Sequence, residues 1–230
     1  MLFYQPEKGY RFNSDSIFLY DFAARFRPRG ELLDVGSGVG VIGLLLARDF
    51  PVRATLVEKQ PKMGELARRN AYANGIDAKV VESDFLAYES PHQFDFVVSN
   101  PPFYHAEVVQ SEDETINACR YNTHLPLGPF FEKVKSLIAP RGRFVFCYDA
   151  SQVADVLREL ERVKLRVEDL RFVHPKRDRN AKLMMVHARN NSRARTRVLP
   201  PFIVYDGDTY GPEARKIFEK ARTHTVKCTI

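Results

Sequence analysis

Along the first two thirds of the chain, short continuous apolar runs alternate with longer amphipathic stretches. "ELLDVG" (Glu31–Gly36), "RATLVEK" (Arg53–Lys59), "AKVVES" (Ala78–Ser83), "FDFVVS" (Phe94–Ser99) and "GRFVFCYD" (Gly142–Asp149) have the length and side-chain content of strands. Between them, "VIGLLLARDF" (Val41–Phe50) is closed by Pro51, and "KMGELARRNAYANG" (Lys62–Gly75) is stopped by its glycine. Both are predicted helices, as is "FFEKVKSLIAP" (Phe130–Pro140). "SQVADVLRELERV" (Ser151–Val163) is a further helix with Ser151 as its N-cap. "RVEDLRFVH" (Arg166–His174) and "KLMMVHAR" (Lys182–Arg189) then follow as strands with no helix between them. Strands separated by helices imply a parallel sheet covered on both faces, and a final hairpin adds an antiparallel strand. The expected fold is α/β: a doubly wound, mostly parallel seven-stranded sheet with an antiparallel closing strand. One domain spans 1–230, with an N-terminal segment (1–30), a core (31–190) and a C-terminal tail (191–230).

Composition narrows the class. The densest apolar run, "VIGLLLA" (Val41–Ala47), is far shorter than the roughly 18 residues of a membrane span. The N-terminus breaks its apolar residues with Pro6, Glu7 and Lys8, unlike a secretory signal. Three widely separated cysteines, Cys119, Cys147 and Cys228, point away from a zinc site or a disulfide framework and toward the reducing cytoplasm. The net charge of +6 permits a polyanionic partner. Basic residues crowd between Arg171 and Arg197, where Asp178 is the only acid. Such a stretch reads either as a solvated face or as a footprint for a phosphate backbone.

The chemistry begins at the first strand-to-helix turn, "LLDVGSGVGVIG". Glycines there let backbone approach a ligand, and the following helix offers free N–H groups. Gly36, Gly38 and Gly40 give one spacing; Gly38, Gly40 and Gly43 give the G-x-G-x-x-G of dinucleotide sites. Glu58, ending the second strand, is placed to accept from ribose hydroxyls. Asp34, two residues before the loop, and Asp84, at the tip of the third strand, favour S-adenosylmethionine over NAD. Asp84 is placed to accept the exocyclic amine of an adenine with Phe85 packing on its ring, or else simply to cap the next helix.

The fourth strand runs into "NPPF", Asn100–Pro101–Pro102–Phe103. Prolines end strands because they cannot donate to a ladder. Behind a glycine loop with acids at two strand ends, the turn reads instead as a pincer. The Asn100 side-chain oxygen and the Pro101 carbonyl would accept the two hydrogens of a planar, weakly nucleophilic amine, favouring the tetrahedral nitrogen that develops during methyl transfer. Pro102 stiffens the turn and Phe103 stacks on the flat substrate.

With these motifs the chain resembles the class I S-adenosylmethionine-dependent methyltransferases (Rossmann-like), in the amino-methylating branch marked by [Asn/Asp/Ser]-Pro-Pro-aromatic. Within it, "QPEKGYRFNSDSIFL" (Gln5–Leu19), "HPKRDRNAKLMMVHAR" (His174–Arg189) and "PPFIVYDGDTYGPEARKIF" (Pro200–Phe218) resemble the bacterial family that methylates N6 of the anticodon-loop adenine 37 of a valine tRNA. The resemblance implies a lid from the N-terminal segment. It implies cofactor contacts from Phe12, Asp34, Gly36, Ser37, Gly38, Gly40, Glu58, Asp84, Phe85 and Asn100, and catalysis by Asn100, Pro101, Pro102 and Phe103. Arg120, Lys176, Arg177 and Arg179 would hold RNA, with no metal and no membrane involved. "CRYN" (Cys119–Asn122) stands where that family tends to carry Ala-Arg-His-Glu. Other acceptors remain open: a glutamine amide of a release factor, whose enzymes usually carry an extra N-terminal helical domain, or N2 of a ribosomal RNA guanine.

Overall fold

The structure, a computed structural model, describes residues 1–7, 11–101 and 126–229. Its strands and helices follow in the order β1 (Leu2–Pro6), α1 (Ser14–Ala24), β2 (Gly30–Val35), α2 (Val41–Asp49), β3 (Val52–Glu58), α3 (Pro61–Ala73), β4 (Ala78–Glu82) and β5 (Phe94–Ser99). Then come α4 (Leu127–Leu137), β6 (Ile138–Asp149), α5 (Val153–Arg162), β7 (Leu165–His174) and β8 (Leu183–Asn190). The remainder comprises β9 (Arg197–Val198), β10 (Phe202–Ile203), β11 (Tyr205–Asp206), β12 (Thr209–Tyr210), α6 (Pro212–Ala221) and β13 (His224–Cys228).

The central sheet has the order β4-β3-β2-β5-β6-β8-β7-β10, with the short β9 also paired to β7. Strands β2 to β6 are mutually parallel, and β8 runs antiparallel to both β6 and β7. The seven expected strands are present, and β9 and β10 extend the outer edge beyond them. Leu32, Leu33, Phe96, Val97 and Val98 are buried on both faces, which is why β2 and β5 read as unbroken apolar runs. The strand order reverses at β2, between β3 on one side and β5 on the other. In doubly wound sheets the crevice at that point, beyond the carboxyl ends of the strands, is the ligand site.

Two boundaries differ from expectation. Helix α4 begins three residues early, at Leu127, and yields at Ile138 to extended backbone (φ −81, ψ 132), so "LIAP" belongs largely to strand β6. Ser151 does not cap α5. Asp149 accepts from the Ser151 N–H at 2.8 Å and from its hydroxyl at 2.7 Å, forming a 3-10 turn, Ala150–Gln152, ahead of the helix.

The termini meet. β1 and β13 form a separate parallel two-stranded sheet, from Leu2 opposite His224 to Pro6 opposite Cys228. The buried Asn70 of α3 fastens it: Oδ1 accepts the Tyr4 N–H at 2.7 Å, while Nδ2 donates to the carbonyls of Tyr4 (3.1 Å) and Val39 (3.0 Å). One side chain thereby ties the N-terminal strand to the turn that follows β2. Phe18 of α1 meets Phe202 and Phe218 with centroids 4.7 and 5.6 Å apart, packing the tail onto the domain.

Candidate active site

Each of Gly36, Gly38 and Gly40 has a positive φ (+64, +55 and +84), the left-handed region that residues with a Cβ avoid. The turn is pulled tight because the N–H groups of Gly36 and Ser37 both donate to the Val57 carbonyl, at 2.9 and 3.1 Å. The glycines divide the work. A Cβ at Gly36 or Gly38 would meet nothing within 4 Å, so these two border open space. A Cβ at Gly43 would lie 2.4 Å from Leu56 and 2.9 Å from Asp34, so that glycine lets α2 settle on the sheet.

The three acids occupy strand ends with different duties. Glu58 spends Oε2 on the Gly38 N–H and Oε1 on the Gln60 N–H, both at 2.8 Å, and thereby shapes the turn. Burial raises its pKa, and those backbone N–H groups pull it back. Asp34 is 1% exposed; its Oδ2 accepts the Gly43 N–H at 2.8 Å and its Oδ1 has no partner. Burial, the main cause, lifts its pKa to about 7. Asp84 pairs with Lys59 at 2.8 Å and accepts the Leu86 N–H at 3.0 Å; its Oδ1 thus closes a turn, and no helix follows for it to cap. Phe85 is 6% exposed and meets Phe130 edge-on at 5.6 Å. Its position reads as core rather than as an exposed stacking face.

Phe12, Ser16, Gly36, Ser37, Gly38 and Asn100 line one small cavity that is partly open to solvent. Phe12 reaches it because its N–H donates to Gln5 at 2.9 Å and its ring meets Phe3 edge-on. Asn100 is held at both ends. Its Nδ2 donates to Ser16 Oγ at 3.1 Å, and its Oδ1 accepts from Cys147 Sγ at 2.9 Å. Cys147 is fully buried, which raises its pKa well above the usual thiol value and keeps it a donor. Pro101 is buried; Pro102, Phe103 and the Cys119–Asn122 segment, Arg120 included, lie outside the described residues.

The expected basic stretch divides into structural and exposed parts. Arg171 is buried, gripping Glu213 with two hydrogen bonds (2.8 and 2.9 Å), and Arg197 pairs with Asp169 at 2.7 Å. Arg177 and Arg179 are exposed on the loop between β7 and β8, beside Lys176, which pairs with Asp208 at 3.1 Å. Since Asp149 at the end of β6 lies opposite Leu183, this loop sits at the same carboxyl-end edge of the sheet as Asn100. Ser16, Cys147 and Asn70 are participants that no sequence motif singled out: an isolated cysteine and two polar residues within helices carry no local signal.

The family model "Methyltransferase small domain" matches residues 13–119. A predicted O-methyltransferase of solved structure from Agrobacterium tumefaciens superposes with TM-score 0.70 at 18% identity, covering 93% of this chain and 100% of its own. The fold is that of a class I methyltransferase. The 16S rRNA N2 G1207 methyltransferase of T. thermophilus, solved with AdoMet and guanosine, superposes with TM-score 0.57 at 18% identity, over 79% of this chain and 44% of that one. A tRNA1(Val) (adenine(37)-N6)-methyltransferase from Aliivibrio fischeri is 29% identical over 141 residues, 60% of this chain. The match spans 59% of that relative's length, and 61% and 51% of two enzymes of the same name from Porphyromonas gingivalis.

The T. thermophilus enzyme of similar fold holds S-adenosylmethionine. The residues present fit it. Gly36 and Gly38 leave room for a ligand against backbone, and Ser37 Oγ and Asp34 Oδ1 are buried polar atoms lacking a partner. Glu58 sits behind the turn as the strand-end carboxylate. Among the described residues no cluster of His, Cys, Asp or Glu is suited to a metal, and no helix is long and apolar enough to cross a membrane.

Proposed function

We propose that this methyltransferase acts in the cytoplasm on tRNA, methylating the exocyclic N6 of an adenine, adenine 37 of a valine tRNA. One observation carries the reading: a carboxamide fixed at the switch point of the sheet, in the same cavity as the open glycines of the cofactor turn. The turn's glycines and Ser37 hold the methyl donor, and Glu58 and Asp84 are the strand-end acids assigned to its ribose and adenine. S-adenosylmethionine supplies an activated sulfonium methyl when bound.

The acceptor amine is conjugated to its ring and is a poor nucleophile. Asn100 Oδ1 has two lone pairs, of which the Cys147 thiol takes one. The other accepts an amine hydrogen, with the Pro101 carbonyl accepting its second. Two fixed acceptors stabilise the nitrogen as it pyramidalises, so no base need remove a proton before transfer. Alignment of amine and methyl supplies much of the remaining rate. The target base leaves its stack to reach Asn100, which costs least in an unpaired loop.

The segment 1–30 is assigned as a lid, since Phe12 and Ser16 both line the cavity, around a core of 31–190 and a tail of 191–230. Lys176, Arg177 and Arg179, together with Arg120, are assigned to the RNA backbone; the first three share the carboxyl-end edge with Asn100. A ribosomal RNA guanine N2 is the second reading, favoured by the solved rRNA enzyme of similar fold. Tritiated methyl transfer to tRNA, ribosomal RNA and total protein, followed by nucleoside analysis, separates the two. N6-methyladenosine in tRNA is the expected product; N2-methylguanosine, or label in protein alone, overturns the assignment.

A further inference from the structure

We infer that Cys147, with Ser16, is a positioning residue that sets which way the Asn100 carboxamide faces. The inference rests on the proposed methyl transfer to an amine. The terminal torsion of an asparagine is broad and roughly two-fold, and its oxygen and nitrogen ends are nearly the same shape. The two orientations differ completely in chemistry. One presents an acceptor to a target amine; the other presents N–H donors, which repel it.

Strand register brings the thiol into place. β5 and β6 run parallel with Ser99 opposite Phe146, so Cys147 lies level with Asn100, one residue beyond the paired position. Its Sγ then stands 2.9 Å from Oδ1. On the other side, Ser16 in the first turn of α1 accepts from Nδ2 at 3.1 Å, and it is 3% exposed. A hydroxyl serves a donor or an acceptor, so Ser16 alone would tolerate either orientation. The neutral thiol is less accommodating: a flip would set N–H against S–H, leaving only the weak acceptor capacity of sulfur. Burial holds Cys147 in the thiol form, so the preference persists at neutral pH.

The test uses the full chain with Cys147→Ala, Cys147→Ser and Ser16→Ala, read in two ways. In steady-state methyl transfer, Cys147→Ala lowers kcat by roughly tenfold, the factor one ordinary hydrogen bond supplies. KM for RNA stays unchanged, and Cys147→Ser restores most of the rate because a hydroxyl also donates. Ser16→Ala gives a smaller loss of the same kind. Independently of turnover, the ¹⁵N–¹H signals of the Asn100 side-chain amide, assigned by their loss in Asn100→Asp, form one exchange-protected pair in the parent protein. In Cys147→Ala they exchange faster or split into two sets, and Cys147→Ser recovers the single pair. A kcat within twofold of the parent in Cys147→Ala, or an unaltered amide pair, overturns the inference. A parent protein that methylates nothing, yet whose Asn100 amide loses protection only without the thiol, overturns the proposed function and leaves the positioning role standing.

Discussion

The backbone N–H of Gly43 donates to Asp34 Oδ2 at 2.8 Å, deep in the protein where that carboxylate's other oxygen has no partner. The bond joins the end of β2 to the first turn of α2 across the glycine loop, so the geometry of the cofactor turn depends on a buried acid. Burial raises Asp34 from 3.8 to about 7, aided by the charge of Glu58 and opposed by the Gly43 N–H.

That shift makes stability fall as pH rises. Between about pH 4 and pH 7 the folded protein holds a proton on Asp34 that the unfolded chain has released. The stabilisation present below the unfolded pKa is therefore lost as pH climbs through the folded one. The urea midpoint is expected to be lower at pH 8 than at pH 5.5. Asp34→Asn should reduce the difference. An unaltered pH slope in Asp34→Asn removes Asp34 as its source.

The glycines of the turn separate into two kinds by experiment. Gly43→Ala drives a methyl into Leu56 and Asp34, and its melting temperature should fall by the equivalent of about 1–3 kcal/mol. Gly38→Ala meets no atom within 4 Å, and it costs only the roughly 1–2 kcal/mol of a left-handed alanine. Its methyl borders the open space, so calorimetric titration should show markedly weaker S-adenosylmethionine binding for the protein that remains folded. A Gly38→Ala variant with parental cofactor affinity would place the cofactor elsewhere.

Asn100→Ala should lower turnover by about 10²-fold or more, the usual effect of deleting one preorganised group that stabilises the transition state. Cofactor binding should stay within a few-fold of the parent. Equal losses of both would assign Asn100 to the architecture of the site.

Two kinds of arginine share the same stretch of chain. Arg177→Glu with Arg179→Glu should weaken RNA binding and reduce the slope of log affinity against log salt by about 1 for each phosphate no longer neutralised. Arg171→Ala should instead destabilise the fold by about 2 kcal/mol, a figure reduced because Glu213 is half exposed. Filter binding across a salt series and urea unfolding read the two effects separately. Equal RNA affinity in the double variant would move the RNA face away from this loop.

Asn70→Ala strips partners from the Tyr4 N–H and from the carbonyls of Tyr4 and Val39. A loss of roughly 1–3 kcal/mol is expected for groups left unpaired. Limited proteolysis should then cut first near β1, whereas cleavage confined to other segments would show that β13 and the Asn74 contacts to Leu2 suffice to hold that strand.

The chain's pattern settled the doubly wound core. Strands covered on both faces, such as Leu32–Leu33 and Phe96–Val98, must be continuously apolar, so their number, order along the chain and helical crossovers are written locally. So is the glycine turn, because positive φ needs residues without a Cβ. So too is the strand-ending Asn100–Pro101, because proline cannot continue a ladder. The partners of those motifs are written nowhere local. Pairing of β1 with β13, capture of Tyr4 by Asn70, and convergence of Ser16 and Cys147 on Asn100 join residues that are far apart along the chain. Arg171 and Arg177 have the same side chain six positions apart, and only the placement of α6 makes one a buried tie and leaves the other exposed. Periodicity and backbone sterics act between neighbours in sequence, whereas hydrogen-bond partners and burial are assigned by neighbours in space.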